Sequence, residues 1–312
     1  MALPDRDLVV REIIAKKKEK NKQKRIEKIV PFILLLTAIV SVLTTIGILF
    51  TLLIESFTFF RHVSIHEFLT SDTWYPFSEP GDYGIMPLIS GTLRVTFIAI
   101  LVAVPLGLSA AIYLSEYASE GIRKTIKPIL EVLAGIPTIV YGFFALTFVM
   151  PILREFIPSL EIFNALSPGI VMGIMITPTI ASLSEDAMSS VPNSIREGAL
   201  ALGATKLEVT MKVILPAAIS GIVASIVLGI SRAIGETMIV SIAGGSTPNL
   251  SFSVTGSIQT MTAYIVQVTQ GDVGYGTTIY YSIYAVGFTL FLFTLIMNLV
   301  AIWVSRQIRE EY

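Results

Sequence analysis

The chain has 312 residues, a mean hydropathy of +0.76, 53% apolar residues and only 14% charged residues. A soluble domain carries about 25% charged residues, so this composition excludes an ordinary soluble protein and indicates an integral membrane protein. The absence of cysteine excludes disulfides, thiolate metal sites and a cysteine nucleophile.

The chain begins with a charged segment, residues 1–28, that holds ten Lys/Arg and five Asp/Glu. The apolar run after it is too long for the core of a signal peptide, so we expect a cytoplasmic tail and not a cleaved leader. No aromatic residues lie between the charges, and nucleic-acid binding is therefore not expected.

Six apolar segments are long enough to be membrane spans in lipid. They lie at about 29–54, 92–114, 129–153, 167–183, 217–243 and 277–304. Together they predict an all-α membrane domain over 29–306, followed by a short tail at 307–312. Prolines inside spans two, three and four predict kinked or broken helices, which favour a transport path over a passive anchor.

The distribution of Lys and Arg predicts the orientation of the chain. If the N-terminus is inside and six spans alternate, the inside segments hold 18 Lys/Arg. The outside segments hold only Arg61 and Arg154, whereas Arg94 and Arg232 lie within spans. By the positive-inside rule, both termini are expected in the cytoplasm.

The two outside loops carry aromatic and apolar residues. In residues 55–91, Trp74, Tyr75 and Phe77 are expected to form a belt at the membrane interface, or to contact a protein outside. In residues 244–276, "IQTMTAYIVQ" predicts a short interfacial helix. His62 and His66 have no third ligand nearby in sequence, so no metal site is expected.

The main inside loop, residues 184–216, is predicted to be a helix–turn–helix. The segment "VPNS" is a helix start, and Gly203 interrupts the good helix formers that follow. A second short helix is expected next, and Pro216 is expected to open the fifth span.

The same loop resembles the EAA loop of ABC importer permeases. Glu197-Gly198-Ala199 is followed at the family spacing by Gly203 and by "VILP", which ends at Pro216. The departures are Gly198 and Val213, where the family has Ala and Ile. In the family this loop docks on a cytoplasmic ATPase, so the resemblance assigns ATPase coupling to Glu197, Gly198, Ala199, Gly203, Ala204, Thr205 and Pro216.

Further segments look like the PstC-type permeases of phosphate-specific ABC importers. Among them are "GIMPLISGTLRVT", "LEVLAGIPTIVYGFF", "GIMITPTIASLSEDAM" and "SRAIGETM", within a match that covers roughly residues 68–305. The resemblance implies a type I ABC importer permease fold with six transmembrane helices in the lipid of the cytoplasmic (inner) membrane. It further implies that the substrate is inorganic phosphate.

The resemblance also implies a division of labour between chains. A homologous PstA-type permease would complete a heterodimeric pore, a periplasmic phosphate-binding protein would deliver substrate, and two ATPase subunits would drive transport. No G-x-x-x-x-G-K-[ST] motif occurs here, so ATP and Mg are expected on the ATPase. The chain itself is expected to hold no cofactor and to be no enzyme.

Two charges interrupt the fifth span, Arg232 and Glu236, four residues apart and so on one face of a continuous helix. An ionisable residue in a span predicts function. Arg232 is expected to attract phosphate, because its planar fork suits a tetrahedral oxyanion, while Glu236 neutralises it when substrate is absent. The alternative is a structural pair that fixes the span against its neighbours.

Other polar groups are candidates for the substrate path. Thr138 and Tyr141, which flank the Pro137 kink, offer hydroxyl donors to a passing anion. Thr138 stands where many relatives have Ser. Arg94, near the outer end of the second span, either lines the path or extends to the interface.

Charged groups near the inner ends of the spans are expected to have structural roles. Lys127 and Glu131, four residues apart, are expected to pair with each other. Glu185 and Asp186 either line the exit or brace the coupling loop.

Three rival functions remain open at this point. The same architecture fits another oxyanion, such as sulfate or molybdate. An ATP-independent secondary transporter or channel predicts inverted repeats, and none is evident in the sequence. A membrane enzyme requires a nucleophile–base pair or metal-ligand spacing, and neither is found.

Overall fold

The structure, a computed structural model, describes residues 6–308, with side-chain surroundings for 27, 29–300, 302 and 303. Side-chain surroundings are thus described for only one charged residue of the predicted tail at 1–28, Glu27, and for none of the tail at 307–312. The chain divides into Met1–Ile54, which holds most of the first helix, and Glu55–Tyr312, which holds the packed core.

Thirteen α-helices run through the described residues. They are α1 (Arg6–Phe60), α2 (Ile65–Thr70), α3 (Met86–Ile112), α4 (Glu120–Ala134), α5 (Thr138–Phe144), α6 (Met150–Phe156), α7 (Leu166–Ser189), α8 (Asn193–Ala201), α9 (Lys206–Val209), α10 (Leu215–Ile234), α11 (Met238–Ala243), α12 (Met261–Gln270) and α13 (Thr278–Ile308). Three π-helical turns connect some of them, at Tyr113–Tyr117, Ala145–Val149 and Thr210–Ile214. Two short antiparallel strands, β1 (Trp74–Tyr75) and β2 (Asp82–Tyr83), pair Trp74 with Tyr83.

Six stretches of the described residues are long and apolar enough to cross a membrane, which confirms the predicted number. They are Ile29–Phe60, Met86–Tyr117, Thr138–Phe156, Leu166–Ser189, Lys206–Ile234 and Thr278–Val300. Helices suit lipid because they satisfy their backbone hydrogen bonds within one segment.

The predicted third span is broken, as its proline indicated. Helix α4 ends at Ala134, Gly135 caps it, and Pro137 is the N-cap of α5. The membrane-spanning stretch therefore begins at Thr138, and Glu131 belongs to the separate helix α4. Pro105 and Pro178 instead lie inside the uninterrupted helices α3 and α7.

Two of the π-helical turns lie just before a proline. Thr210–Ile214 precedes Pro216, and Ala145–Val149 precedes Pro151. Proline has no N–H and its ring clashes with the carbonyl four residues earlier, so a wider turn accommodates it. As a result α9 continues into α10, and Pro216 lies inside a helical run instead of opening the span as predicted.

Helix α7 lies at the centre of the main core cluster, which it shares with α3, α5, α10, α11 and α12. Its contact with α3 is close because Gly173 has no side chain. A Cβ at Gly173 would lie 2.7 Å from the carbonyl oxygen of Ala99, so no other residue fits without movement.

A second core cluster joins Trp74, one residue of the predicted interfacial belt, to Tyr264 of the loop helix. Trp74 is 1% exposed and packs edge-on against Tyr83 and Tyr264. Its predicted place in the belt at the membrane interface is therefore wrong. Tyr75 and Phe77 are exposed as expected. The predicted loop helix is confirmed as α12, but Tyr264 on it is buried, and burial raises the pKa of its phenol.

Candidate functional site

The charged stretch of the fifth span is not one helix. Helix α10 ends at Ile234, Gly235 caps it, and α11 starts at Met238. Glycine has a low helix propensity, and here its N–H donates to the carbonyl of Ser231 at 3.2 Å. Arg232 and Glu236 therefore do not share a helix face as predicted.

Glu236 satisfies the backbone of the helix that follows it. Its Oε1 accepts hydrogen bonds from the N–H groups of Met238 at 3.0 Å and Ile239 at 3.4 Å. The first N–H groups of a helix have no partner within it, and a carboxylate there also complements the helix dipole. The hydroxyl of Thr262 on α12 donates to the carbonyl of Glu236 at 2.8 Å, so the break is held on two sides.

Arg232 is half-buried and has a different partner from the predicted one. Its Nη1 donates to Oγ1 of Thr179 on α7 at 2.9 Å, and none of the ion pairs among the described residues includes Arg232. The structure thus replaces the predicted partner Glu236 with Thr179.

The hydroxyl of Tyr141 is already engaged, because it donates to the carbonyl of Leu133 at 2.9 Å across the break between α4 and α5. Thr138 is the first residue of α5 and is half-buried. Helices α5 and α11 pack closely, since a Cβ at Gly142 would lie 3.2 Å from the carbonyl oxygen of Met238. The two helix breaks therefore lie before two helices that contact each other.

Arg94 holds a loop. Its Nη1 donates to the carbonyl of Ser253 at 2.9 Å, and its Nη2 donates to the carbonyl of Asn249 at 2.7 Å and to its Oδ1 at 3.1 Å. Its Nε donates to the carbonyl of Ser90 at 3.3 Å. Nη1 and Nη2 thus fix the loop that follows α11 against α3, while Nε bonds within α3 itself.

A buried carboxylate joins α7 to α4. Both oxygens of Glu185 are paired: Oε1 with Arg123 and with the hydroxyl of Ser189, and Oε2 with Nζ of Lys127 at 2.8 Å. Lys127 also contacts Asp186 at 2.7 Å, and these two carboxylates, Asp186 foremost, raise the pKa of its ammonium group. The predicted Lys127–Glu131 pair is wrong, because packing places two acidic groups of α7 at Lys127 instead.

The inside loop has the predicted helix–turn–helix form. Helix α8 begins at Asn193 after Pro192, as "VPNS" indicated. Gly203 has φ of +87°, a left-handed conformation that favours glycine, and it turns the chain into α9. Thr205 and Glu208 form a reciprocal capping box at the start of α9. Glu197 is exposed on α8.

Arg196, next to Glu197, ties this loop to the spans. Its Nη1 donates to the carbonyl of Val191 at 2.8 Å, and its Nη2 donates to the carbonyl of Met188 at 2.6 Å. Its Nη2 also contacts Oε1 of Glu116, at the end of the second span, at 3.2 Å. Arg196 therefore links α8 to both α7 and the turn after α3.

Sequence reasoning missed Thr179, Arg123, Arg196 and Glu116. The sequence does contain a feature that could have identified Thr179, because this residue places a hydroxyl group beside Pro178 within a span. The break at Gly235 also had such a feature, because Gly ends a helix and the next residues, Glu236 and Thr237, are typical of a helix start. The acidic partners of Arg123 and Arg196, which are Glu185 and Glu116, had none, because each is more than 50 residues away.

Among residues with described side chains, no three His, Asp or Glu are close enough to hold a metal ion. His62 lies in the turn after α1 and its Nδ1 is 3.0 Å from the carbonyl of Thr58, whereas His66 belongs to α2. The two histidines are therefore not on one helix.

Residues 103–310 match the family described as binding-protein-dependent transport system inner membrane component. The chain belongs to this family. It is 37% identical over 248 residues to the probable ABC transporter permease protein YqgH of Bacillus subtilis, which covers 78% of this chain and 79% of that one. It is 32% identical over 295 residues to the probable phosphate transport system permease protein PstC of Methanocaldococcus jannaschii, covering 85% and 90% of the two chains.

The fold of this importer permease is also similar to solved structures. A chain of a bacterial alginate ABC transporter, in complex with an alginate pentasaccharide-bound periplasmic protein, matches with a TM-score of 0.63 over 89% of this chain and 96% of that one at 17% identity. At that identity the likeness concerns the fold alone. The predicted type I ABC importer permease fold and the resemblance to PstC-type permeases are confirmed, and such a permease is a multi-pass transport subunit with no catalysis of its own.

Proposed function

We propose that the chain is the permease subunit of an ATP-driven importer that moves inorganic phosphate across the cytoplasmic membrane. It forms half of a heterodimeric pore with a homologous PstA-type permease. A periplasmic phosphate-binding protein delivers the substrate. Two ATPase subunits, which carry ATP and Mg, contact the inside loop.

The observation that carries the phosphate assignment is the environment of Arg232. A guanidinium group in a membrane-spanning helix, half-buried and without a carboxylate partner among the described ion pairs, offers N–H donors to an anion. Thr179 adds a hydroxyl group beside it. Several relatives carry the name phosphate transport system permease protein, which supports phosphate over sulfate or molybdate.

Uptake of labelled phosphate by the assembled complex tests this role. Arg232→Ala removes the charge, and we expect uptake to fall by at least tenfold at normal expression. Arg232→Lys keeps the charge but loses the planar fork, so we expect partial activity. Arg154→Ala, at an exposed arginine at the end of α6, is the control and should behave as wild type. Normal uptake by Arg232→Ala would contradict the role.

Competition separates phosphate from other anions. Excess unlabelled phosphate should abolish uptake of labelled phosphate, whereas excess sulfate or molybdate should leave it unchanged. Inhibition by sulfate alone would favour the alternative oxyanion.

Coupling to an ATPase is supported by the exposed face of α8 and the turn at Gly203. Glu197 is exposed there, and Leu202 beside it is 91% exposed, as a docking surface requires. We expect Glu197→Lys to reduce co-purification of the ATPase, whereas Glu120→Lys on the exposed side of α4 should not. A chain that transports phosphate alone, with Glu197 dispensable, would favour the secondary transporter.

The orientation with both termini in the cytoplasm has a direct test, because the natural chain has no cysteine. Single cysteines at Glu79 and Asn193, both exposed, lie on the predicted outside and inside. A membrane-impermeant maleimide should label position 79 in cells whose outer membrane is permeabilised, and position 193 only after lysis. The reverse labelling pattern would show that the chain has the opposite orientation in the membrane.

A further inference from the structure

A second polar groove lies at the coupling loop, away from Arg232. It has a volume of about 590 Å³ and lies between the turn after α3, helix α4, the end of α7 and helices α8 and α9. Its charged lining residues are Glu116, Arg123, Arg196 and Lys206. Ser115, Ser189 and Asn193 contribute polar groups.

The charges of this groove do not cancel. Arg196 is paired with Glu116 at 3.2 Å, and Arg123 is paired with the buried Glu185 behind it. Lys206 has no carboxylate within 4 Å among the described residues, and its Nζ lies 5.0 Å from the ring centroid of Tyr117. The ring keeps the ammonium group at the groove without neutralising it.

Donors remain free on the cationic side chains. Arg123 uses Nη2 for Glu185 and Ser189, and no hydrogen bond among the described residues uses its Nη1 or Nε. Lys206 offers three N–H donors and Asn193 an amide nitrogen, neither of which takes part in a described hydrogen bond. Donors on three separate elements therefore converge on one space with an excess of positive charge.

We propose that this groove binds a phosphate group, either free inorganic phosphate from the cytoplasmic side or the headgroup of an acidic phospholipid. A tetrahedral oxyanion has enough acceptor oxygens for the free donors of Arg123, Lys206 and Asn193 at once. Because α8 and α9 supply Asn193 and Lys206, while α4 supplies Arg123, an occupant holds the coupling loop against the spans. The site does not require that phosphate is the transported substrate.

Hydrogen exchange on the full chain, purified in nanodiscs of phosphatidylcholine, tests the proposal. Inorganic phosphate should slow exchange in residues 193–209, whereas chloride at equal ionic strength should not. Lys206→Gln should raise the phosphate concentration needed by about tenfold, since it removes a charged hydrogen-bond donor. Lys212→Gln, at an exposed lysine paired with Glu208 on the same loop, should match wild type.

A second experiment identifies the source of the phosphate group. In nanodiscs that contain phosphatidic acid, protection of residues 193–209 without added phosphate, lost in Lys206→Gln, would identify the lipid headgroup. Protection by free phosphate in phosphatidylcholine alone would identify the free anion. Protection of residues 193–209 should persist in the Arg232→Ala variant, because this site does not depend on the transport path. No protection from either source, or equal protection in Lys206→Gln, would overturn the proposal.

Discussion

Nη1 of Arg232 donates a hydrogen bond to Oγ1 of Thr179 at 2.9 Å, and this contact joins α10 to the central helix α7. The arginine thus takes a neutral hydroxyl as its partner. A hydroxyl orients the guanidinium group without cancelling its charge, and the charge remains available to an anion. The same contact holds the Arg232 side chain against α7.

Thr179→Val should impair uptake by releasing Arg232. The substitution keeps the side-chain shape but removes the oxygen, and a hydrogen bond to a charged group contributes about 1.5–3 kcal/mol. We expect phosphate uptake to fall about tenfold in the assembled complex. Thr177→Val is the matched control, because the Thr177 hydroxyl donates to the carbonyl of Gly173 within its own helix. Equal activity of both variants would show that Thr179 does not position Arg232.

Glu236 is expected to act first as a helix cap. Glu236→Ala removes the acceptor for the N–H groups of Met238 and Ile239, and loss of a capping acceptor costs about 1 kcal/mol. Glu236→Gln keeps an oxygen acceptor, so it should retain most of the stability. Thermal unfolding of the purified chain measures the stability of both variants. A Gln variant as unstable as the Ala variant would mean that the charge matters more than the cap.

The ion pairs of Glu185 should stabilise the chain. Its side chain is 1% exposed, and Glu185→Gln leaves Arg123 and Lys127 without their buried partner. Breaking a buried pair costs about 3–5 kcal/mol. The two cations are 38% and 29% exposed, so solvent reduces the loss to about 2 kcal/mol. Glu120→Gln, which affects an exposed pair with Lys124, should leave the unfolding temperature unchanged.

The stability of the α4–α7 contact should depend on pH in the alkaline range. Hydrogen bonds to Asp186 and Glu185 raise the pKa of Lys127 above its ordinary 10.5. The stabilisation is therefore complete below 10.5 and is lost as pH rises through the higher folded-state pKa. Lys127→Met should be less stable at neutral pH and should lose less stability above 10.5 than wild type. Lys124→Met, on the exposed side of α4, should keep the wild-type profile.

Two glycines of the inside loop should respond in opposite directions to alanine. Neither Gly198 nor Gly203 has an atom within 4 Å of a built Cβ, so space does not distinguish them. Gly203 has φ of +87°, which costs an L-residue about 1–2 kcal/mol, whereas Gly198 is helical and alanine there should add about 0.5–1 kcal/mol. Unfolding temperatures should fall for Gly203→Ala and rise for Gly198→Ala. A rise in both unfolding temperatures would contradict the cost expected for alanine in the left-handed conformation of Gly203.

Part of the candidate site could be predicted from local sequence. The inside loop follows from Pro192, Gly203 and the capping residues Thr205 and Glu208, because each acts on backbone within a few residues. The break before Thr138 follows from Gly135 and Pro137 for the same reason. The position of Arg232 in a span also marks it as a functional candidate from the sequence alone.

The sequence by itself determined the membrane class, the six spans, the all-α fold and the loop that resembles an EAA motif, because hydrophobic length and Gly/Pro signals are local. Only the tertiary structure decided the partners of the charges. Arg232 meets Thr179 at a separation of 53 residues, and Lys127 meets Glu185 at 58. Such pairs depend on which helix faces pack together, and the nearest opposite charge along the chain does not reveal that.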